Sequence, residues 1–163
     1  MSERIFRSIF ATALLAVALA LLAEACTSST SAQSGTSKDP IEGLWNSQVT
    51  ITNCQTGVVM RQFQAMNLFI EGGTLVDTDV QPATAHGPAF GTWKTLGGGG
   101  YASVFQFFRY NPDGSYAGAN RVTRNISISA DGNAFTSTLS IDVNGPSGTA
   151  LSTACGMENA SRA

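Results

Sequence analysis

Charge is scarce in this chain: Asp, Glu, Lys and Arg together make up 12% of its 163 residues, and neither sign forms a run. Without a basic patch to neutralise phosphates, nucleic acid is excluded as an expected partner. Histidine is scarcer still, His86 standing alone. One imidazole without cysteines or carboxylates committed beside it does not make a zinc site, so no metal is expected. No Gly-x-Ser-x-Gly elbow, phosphate loop or HExxH motif is present, which removes the commonest signatures of hydrolase, nucleotide and zinc-protease chemistry. The glycine run Gly97 to Gly100 leads into a strand pattern, so it lacks the helix N-terminus that cradles phosphate. No cofactor is expected. Beyond residue 25 no apolar pattern repeats at helical spacing, while Gly (17), Thr and Ser are frequent. That is the composition of a β protein.

The one long apolar stretch lies at the start. Arg4 and Arg7 precede an apolar run from Ile9 to Ala23, and Ala23-Glu24-Ala25 is a small-x-small cleavage pattern. The run is shorter than the roughly 20 residues a membrane-spanning helix needs. Residues 1–25 therefore read as a signal peptide. Cys26 directly after it resembles the lipidated cysteine of bacterial lipoproteins, although Ala23 stands where such signals usually carry Leu. Three cysteines in an exported chain leave one unpaired, and lipidation of Cys26 leaves an even pair. Cleavage after Ala32 would also remove Cys26. The resemblance implies an envelope protein held to a membrane by its N-terminal lipid. Thr27 carries no inner-membrane retention signal, so the outer membrane, facing the periplasm, is the expected site. Residues 26–40 are rich in Ser and Thr and read as a tether. With Arg4, Arg7, Glu3 and Glu24 removed, 7 basic and 9 acidic residues remain, a net of −2.

Residues 41–163 have the length of one domain. Turn signals divide them into eight strand patterns: Leu44 to Cys54, Val58 to Ile70, Thr74 to Val80, Phe90 to Thr95, Tyr101 to Tyr110, Tyr116 to Ser129, Phe135 to Val143, and Thr149 to about Glu158. The turns include Gly72-Gly73, Asn111-Pro112-Asp113-Gly114, Asp131-Gly132 and Asn144-Gly145. Short turns favour an up-and-down order. The two remaining cysteines, Cys54 and Cys155, fall on the first and last strands. A disulfide between them is most simply explained by an all-β, closed, eight-stranded antiparallel barrel, because closure removes the exposed edges of a long meander. A flat meander or a sandwich is the alternative.

Strand parity then nominates interior residues. Phe135, Leu139, Ile141 and Val143 share one face and should point inward. On the sixth strand Arg124 shares parity with Val122, Ile126 and Ile128, which places a guanidinium inside the barrel. A buried Arg must be paired, either with a ligand oxygen or with an acidic side chain. Phe105 and Phe107 oppose Val104, Phe108 and Tyr110, so the fifth strand is apolar on both sides; either the 81–89 loop or a partner subunit covers its outer face, which is the favoured expectation, or an exposed aromatic patch there marks a contact site. Arg61 and Asn67 share parity with Phe63 and Phe69 and would line the same cavity, unless Met66, Leu68 and Ile70 are the inner set. Arg124, Arg61, Phe105, Phe108 and Tyr110 are the candidate ligand-binding residues. His86, in a loop, and Glu71, Asp77 and Asp79, around a hairpin, are expected to be solvated. No catalytic residue stands out.

Gly43-Leu44-Trp45 at the start of this meander resembles the Gly-x-Trp opening of lipocalins and other calycins. The resemblance implies that Trp45 plugs one end of the barrel under Arg124 or Arg162. The three-residue motif recurs as Gly91-Thr92-Trp93, and Trp93 is expected to be structural. Lipocalins carry a helix after the barrel, which these residues do not leave room for, and in this the chain is similar to the allene-oxide-cyclase-like barrels. Three functions follow as expectations. The first is an exported, lipid-anchored, non-enzymatic barrel binding a small apolar or amphipathic molecule. The second is a small-molecule cyclase or isomerase using Arg124 with Tyr110 or Tyr116. The third is a structural or interaction protein with a filled interior, assembling as a homo-oligomer through its fifth strand.

Overall fold

The computed structural model describes residues 38–163. The expected signal peptide, Cys26 and most of the tether lie outside the described residues. Eight strands follow in order: β1 (Gly43–Thr52), β2 (Val59–Ile70), β3 (Thr74–Asp79), β4 (Ala89–Gly97), β5 (Gly100–Tyr110), β6 (Tyr116–Ile128), β7 (Ala134–Asn144) and β8 (Ala150–Arg162). Each pairs antiparallel with its sequence neighbours, and β1 also pairs with β8, so the sheet is a closed up-and-down barrel. This architecture is consistent with the calycin-like fold. β8 runs four residues beyond the expected Glu158, and that extension is what pairs Trp45 with Arg162 and completes the closure.

Cys54 and Cys155 form the disulfide, with Cα atoms 4.9 Å apart. β1 ends at Thr52, so the bond joins the turn just after β1 to β8, beside the Thr52–Cys155 register pair. It therefore covers the point where the closing ladder stops.

Alternation fixes which faces turn inward. On β7 Phe135, Ser137, Leu139 and Ile141 are buried, with exposed residues between them. On β2 the inner set is Phe63, Ala65, Asn67 and Phe69, which leaves Met66, Leu68 and Ile70 outside. On β5 Phe105 and Phe107 point in, while Phe108 and Tyr110 are exposed.

The interior is stratified. At the base, Trp45, Phe69, Phe135, Trp93 and Tyr101 form a run of edge-to-face contacts with centroids 5.0 to 6.3 Å apart, a favoured aromatic geometry. The indole N–H of Trp45 donates to the Ile41 carbonyl at 2.7 Å, and that of Trp93 to Ile70 at 2.9 Å. Arg162 lies 4.1 Å over the Trp45 ring and donates to the Glu42, Gly132 and Pro40 carbonyls, sealing this end. Of the two arginines considered for that role, Arg162 holds it and Arg124 does not. Gly91 belongs to this packing for want of a side chain: a Cβ there would collide with the Val104 carbonyl and with Phe105.

One seam is weak. β3 pairs with β4 only from Thr74–Thr92 to Asp77–Ala89. Above it the chain leaves in the 80–88 loop, which returns across the gap to β5, Tyr110 N donating to Thr84 O at 2.7 Å and Gly87 N to Phe108 O at 3.3 Å.

The disulfide closes a separation of 101 residues. Replacing both cysteines by Ser is expected to cost about 2–5 kcal/mol and to lower the midpoint of thermal unfolding followed by circular dichroism, with the native β spectrum retained below it.

Candidate functional site

Above the aromatic base lies a charged layer. Arg124 on β6 is 1% exposed. Its Nε donates to Ser103 Oγ at 3.0 Å, and its Nη1 donates to Asn67 Oδ1 at 2.8 Å and to Glu158 Oε2 at 2.9 Å. Glu158 is equally buried and also accepts from Asn67 Nδ2 at 2.7 Å and from Ser137 Oγ at 2.9 Å. Asn67 Nδ2 reaches Ser47 Oγ as well, at 2.9 Å. The guanidinium stacks on Phe105 at 4.7 Å and Phe69 at 5.7 Å, cation–π contacts strengthened by the dry surroundings. Three strands (β2, β5 and β8) thus supply partners to one cation, and β1 and β7 add Ser47 and Ser137 behind those partners. Burial pushes the Glu158 carboxyl up, but Arg124, Ser47 and Ser137 outweigh it and hold the group below the ordinary carboxylate range.

A second polar group closes the mouth side. His86 and Asp77, expected in solvent, are both buried. His86 Nε2 lies 3.3 Å from Asp77 Oδ1 and 3.9 Å from Asp79 Oδ2, and its ring lies against Phe107 with centroids 3.8 Å apart. The physical reason is the short β3–β4 pairing: the loop has to cross the open seam, and the crossing carries His86 down onto the carboxylates of β3. Parity on β3 turns Asp77 and Asp79 inward behind Leu75. Of the three acids around that hairpin, Glu71 alone is solvent-exposed. Burial raises the Asp77 pKa despite the His86 hydrogen bond and the nearby Arg124 charge.

Between the two groups lies an internal cavity of about 40 Å³, walled by Arg124, Glu158, Asp77, His86, Asn120 and the rings of Phe63, Phe105 and Phe107. That is room for one to three waters, far below the ~300–1,000 Å³ of typical small-molecule sites. Three buried polar atoms of its lining residues have no hydrogen-bond partner among the described residues: Arg124 Nη2, His86 Nδ1 and Asn120 Oδ1. Buried polar atoms are rarely left so, because each costs free energy until it finds a partner. Arg61 arches over the mouth, stacked 5.3 Å above Phe63 and bonded to Gln81 of the loop.

Among the five candidate ligand-binding residues, Arg124, Phe105 and Arg61 thus border the cavity. Phe108 and Tyr110 do not. They sit on the outer face of β5, where Tyr116 lies 5.9 Å from Phe108 and 6.3 Å from Tyr110, and the loop leaves all three exposed. Neither tyrosine can act on a molecule held at Arg124, which removes the pairing considered for a cyclase. Among the described residues no group of three or more His, Cys, Asp and Glu side chains could hold a metal ion. Compared with family models, curated proteins and solved structures, the chain has no match.

The charged layer makes a sharp stability prediction. Glu158→Gln leaves Arg124 buried without its counter-charge and is expected to cost about 3–5 kcal/mol in urea unfolding at neutral pH, whereas the double change Arg124→Met with Glu158→Leu recovers most of that loss. The pH dependence follows in sign. The folded value of Glu158 lies below its unfolded one, so its contribution is present above the ordinary carboxylate range and is lost as pH falls through the folded value. Asp77, with its value raised, acts the other way: its burial costs stability above the unfolded value, and the cost disappears on acidification. Glu158→Gln should therefore flatten the loss of stability on acidification and Asp77→Asn should steepen it, measured by unfolding at a series of pH values.

Proposed function

We propose that the protein is an exported, lipid-anchored binding barrel of the cell envelope, which takes the polar head of a small amphipathic molecule at Arg124. The reading is carried by one observation: three unpartnered, buried polar atoms belong to residues that line a single cavity. Phe63, Phe107 and Ile141 would receive the apolar part. The export and anchor come from the signal-like residues 1–25 and from Cys26, and the fold is compatible with ligand binding.

A cavity of this size admits only the head, so the rest of the ligand requires the 80–88 loop to move. The weak β3–β4 seam makes that the cheapest opening in the barrel. Three backbone hydrogen bonds, the His86–Asp77 pair and the bridge from Arg61 to Gln81 hold the loop down.

A second reading is the filled interaction barrel, favoured by the smallness of the cavity and by the outer wall. There Leu44, Leu68, Val76 and Phe90 occupy one continuous row across β1 to β4, and Leu44, Leu68 and Phe90 are exposed. A contiguous apolar patch of this kind marks contact sites. Two copies packed on this row would give a homodimer, which sedimentation of the purified protein would detect.

Native mass spectrometry of the protein drawn gently from its own envelope tests the first reading. A reproducible added mass, lost on denaturation, is expected; a protein-only mass would move the conclusion to the interaction barrel. The loop makes its own prediction. His86→Ala should speed hydrogen exchange of the Gly87 and Tyr110 amides by about tenfold or more, with the amides of the β1–β2 ladder unchanged.

A further inference from the structure

The geometry points to an uncharged ligand group that carries both a hydrogen-bond acceptor and a donor, of the amide or hydroxy-ketone kind, rather than to a carboxylate. This inference rests on the binding reading above and narrows it. A guanidinium in a pocket ordinarily suggests an anion, and the charges around this cavity argue otherwise. Arg124 already shares an ion pair with Glu158 at 2.9 Å. The remaining charged or titratable side chains on the wall are Asp77, Asp79 and His86, with Arg61 at the mouth. Three carboxyl groups therefore face two arginines and one imidazole. No positive charge is left in excess when His86 is neutral, even with Asp77 protonated. A ligand carboxylate would enter as an uncompensated buried anion beside Asp77 and Glu158, which is the costliest kind of group to bury.

A neutral carbonyl oxygen meets no such penalty. It accepts a charge-assisted hydrogen bond from Arg124 Nη2, the one nitrogen of the guanidinium without a partner among the described residues. Asn120 Oδ1, also unpartnered, asks for an N–H or O–H donor from the same molecule. A group with both functions satisfies Asn120 in either orientation of its side-chain amide. The flat walls of Phe105 and Phe107 suit a planar group. Size agrees as well: a cavity of about 40 Å³ accepts a head group of a few heavy atoms.

Acetamide and acetate are nearly isosteric and differ in charge, so the pair isolates the point at issue. Each is titrated at neutral pH into the isotopically labelled full-length protein, and the side-chain resonances of Arg124 Nε–H, Asn120 Nδ2 and His86 are followed by NMR. Acetamide is expected to shift all three saturably and to bind at least about tenfold more tightly than acetate. Asn120→Leu, which leaves the Arg124–Glu158 contacts intact, is expected to weaken acetamide by about tenfold without moving the Arg124 Nε–H signal of the unliganded protein far. Acetate binding as tightly as acetamide would overturn this inference and leave a binding barrel of anionic specificity. Saturation by neither compound would overturn the inference and the binding reading together.

Discussion

The structure depends on one constraint: a guanidinium has been placed inside a closed barrel, where it is 1% exposed to bulk solvent. A buried cation without partners would cost more than the whole net stability of a domain of this size. The barrel answers with Glu158 from β8, Asn67 from β2, Ser103 from β5 and, through Glu158, Ser137 from β7. Because these partners come from strands far apart in the chain, satisfying Arg124 also fixes the register across the closing seam. A slip of one residue in β8 would turn Glu158 to the outside and strand the charge. The charged layer thus specifies the closure as well as surviving inside it.

The same layer divides the interior. Below it, aromatic rings pack edge to face and Arg162 seals the end; above it, the walls remain apolar but the polar atoms are incompletely paired. A filled base and an unfinished upper half are what a binding barrel needs, since rigidity at one end positions the groups exposed at the other. The 80–88 loop belongs to the upper half. It exists because β3 is too short to pair with β4 along its full length, and its descent over that seam brings His86 onto Asp77.

Much of the fold was legible in the residues. Turn chemistry at Gly72-Gly73, Asn111-Pro112-Asp113-Gly114 and Asn144-Gly145 located the strands to within a few residues, and the pair Cys54 and Cys155 implied closure. Parity alone placed Arg124 inside. The site was only partly legible. Parity could not choose between the two faces of β2, because Phe63 and Phe69 alternate with Met66, Leu68 and Ile70 and both sets are apolar. Asp77 and Asp79 looked like turn acids, although their spacing with Leu75 carried the signal of an inward face. By pattern Glu158 marks only a strand end, although a carboxylate two residues from Gly156 on the closing strand is an available partner for a buried Arg. His86 was beyond reach of pattern reasoning, since its burial follows from a loop crossing a gap that no local sequence encodes.

The most direct test is an atomic-resolution crystal structure of the purified protein, with attention to the second guanidinium nitrogen of Arg124. The account predicts that Nη1 and Nε keep their bonds to Glu158, Asn67 and Ser103, while Nη2 and Asn120 Oδ1 are spanned by a bound molecule or by ordered water under the 80–88 loop. Finding Nη2 bonded to a protein side chain, with the cavity filled by the rings of Phe63, Phe105 and Phe107, would contradict it. The barrel would then be a packed scaffold acting through its outer wall.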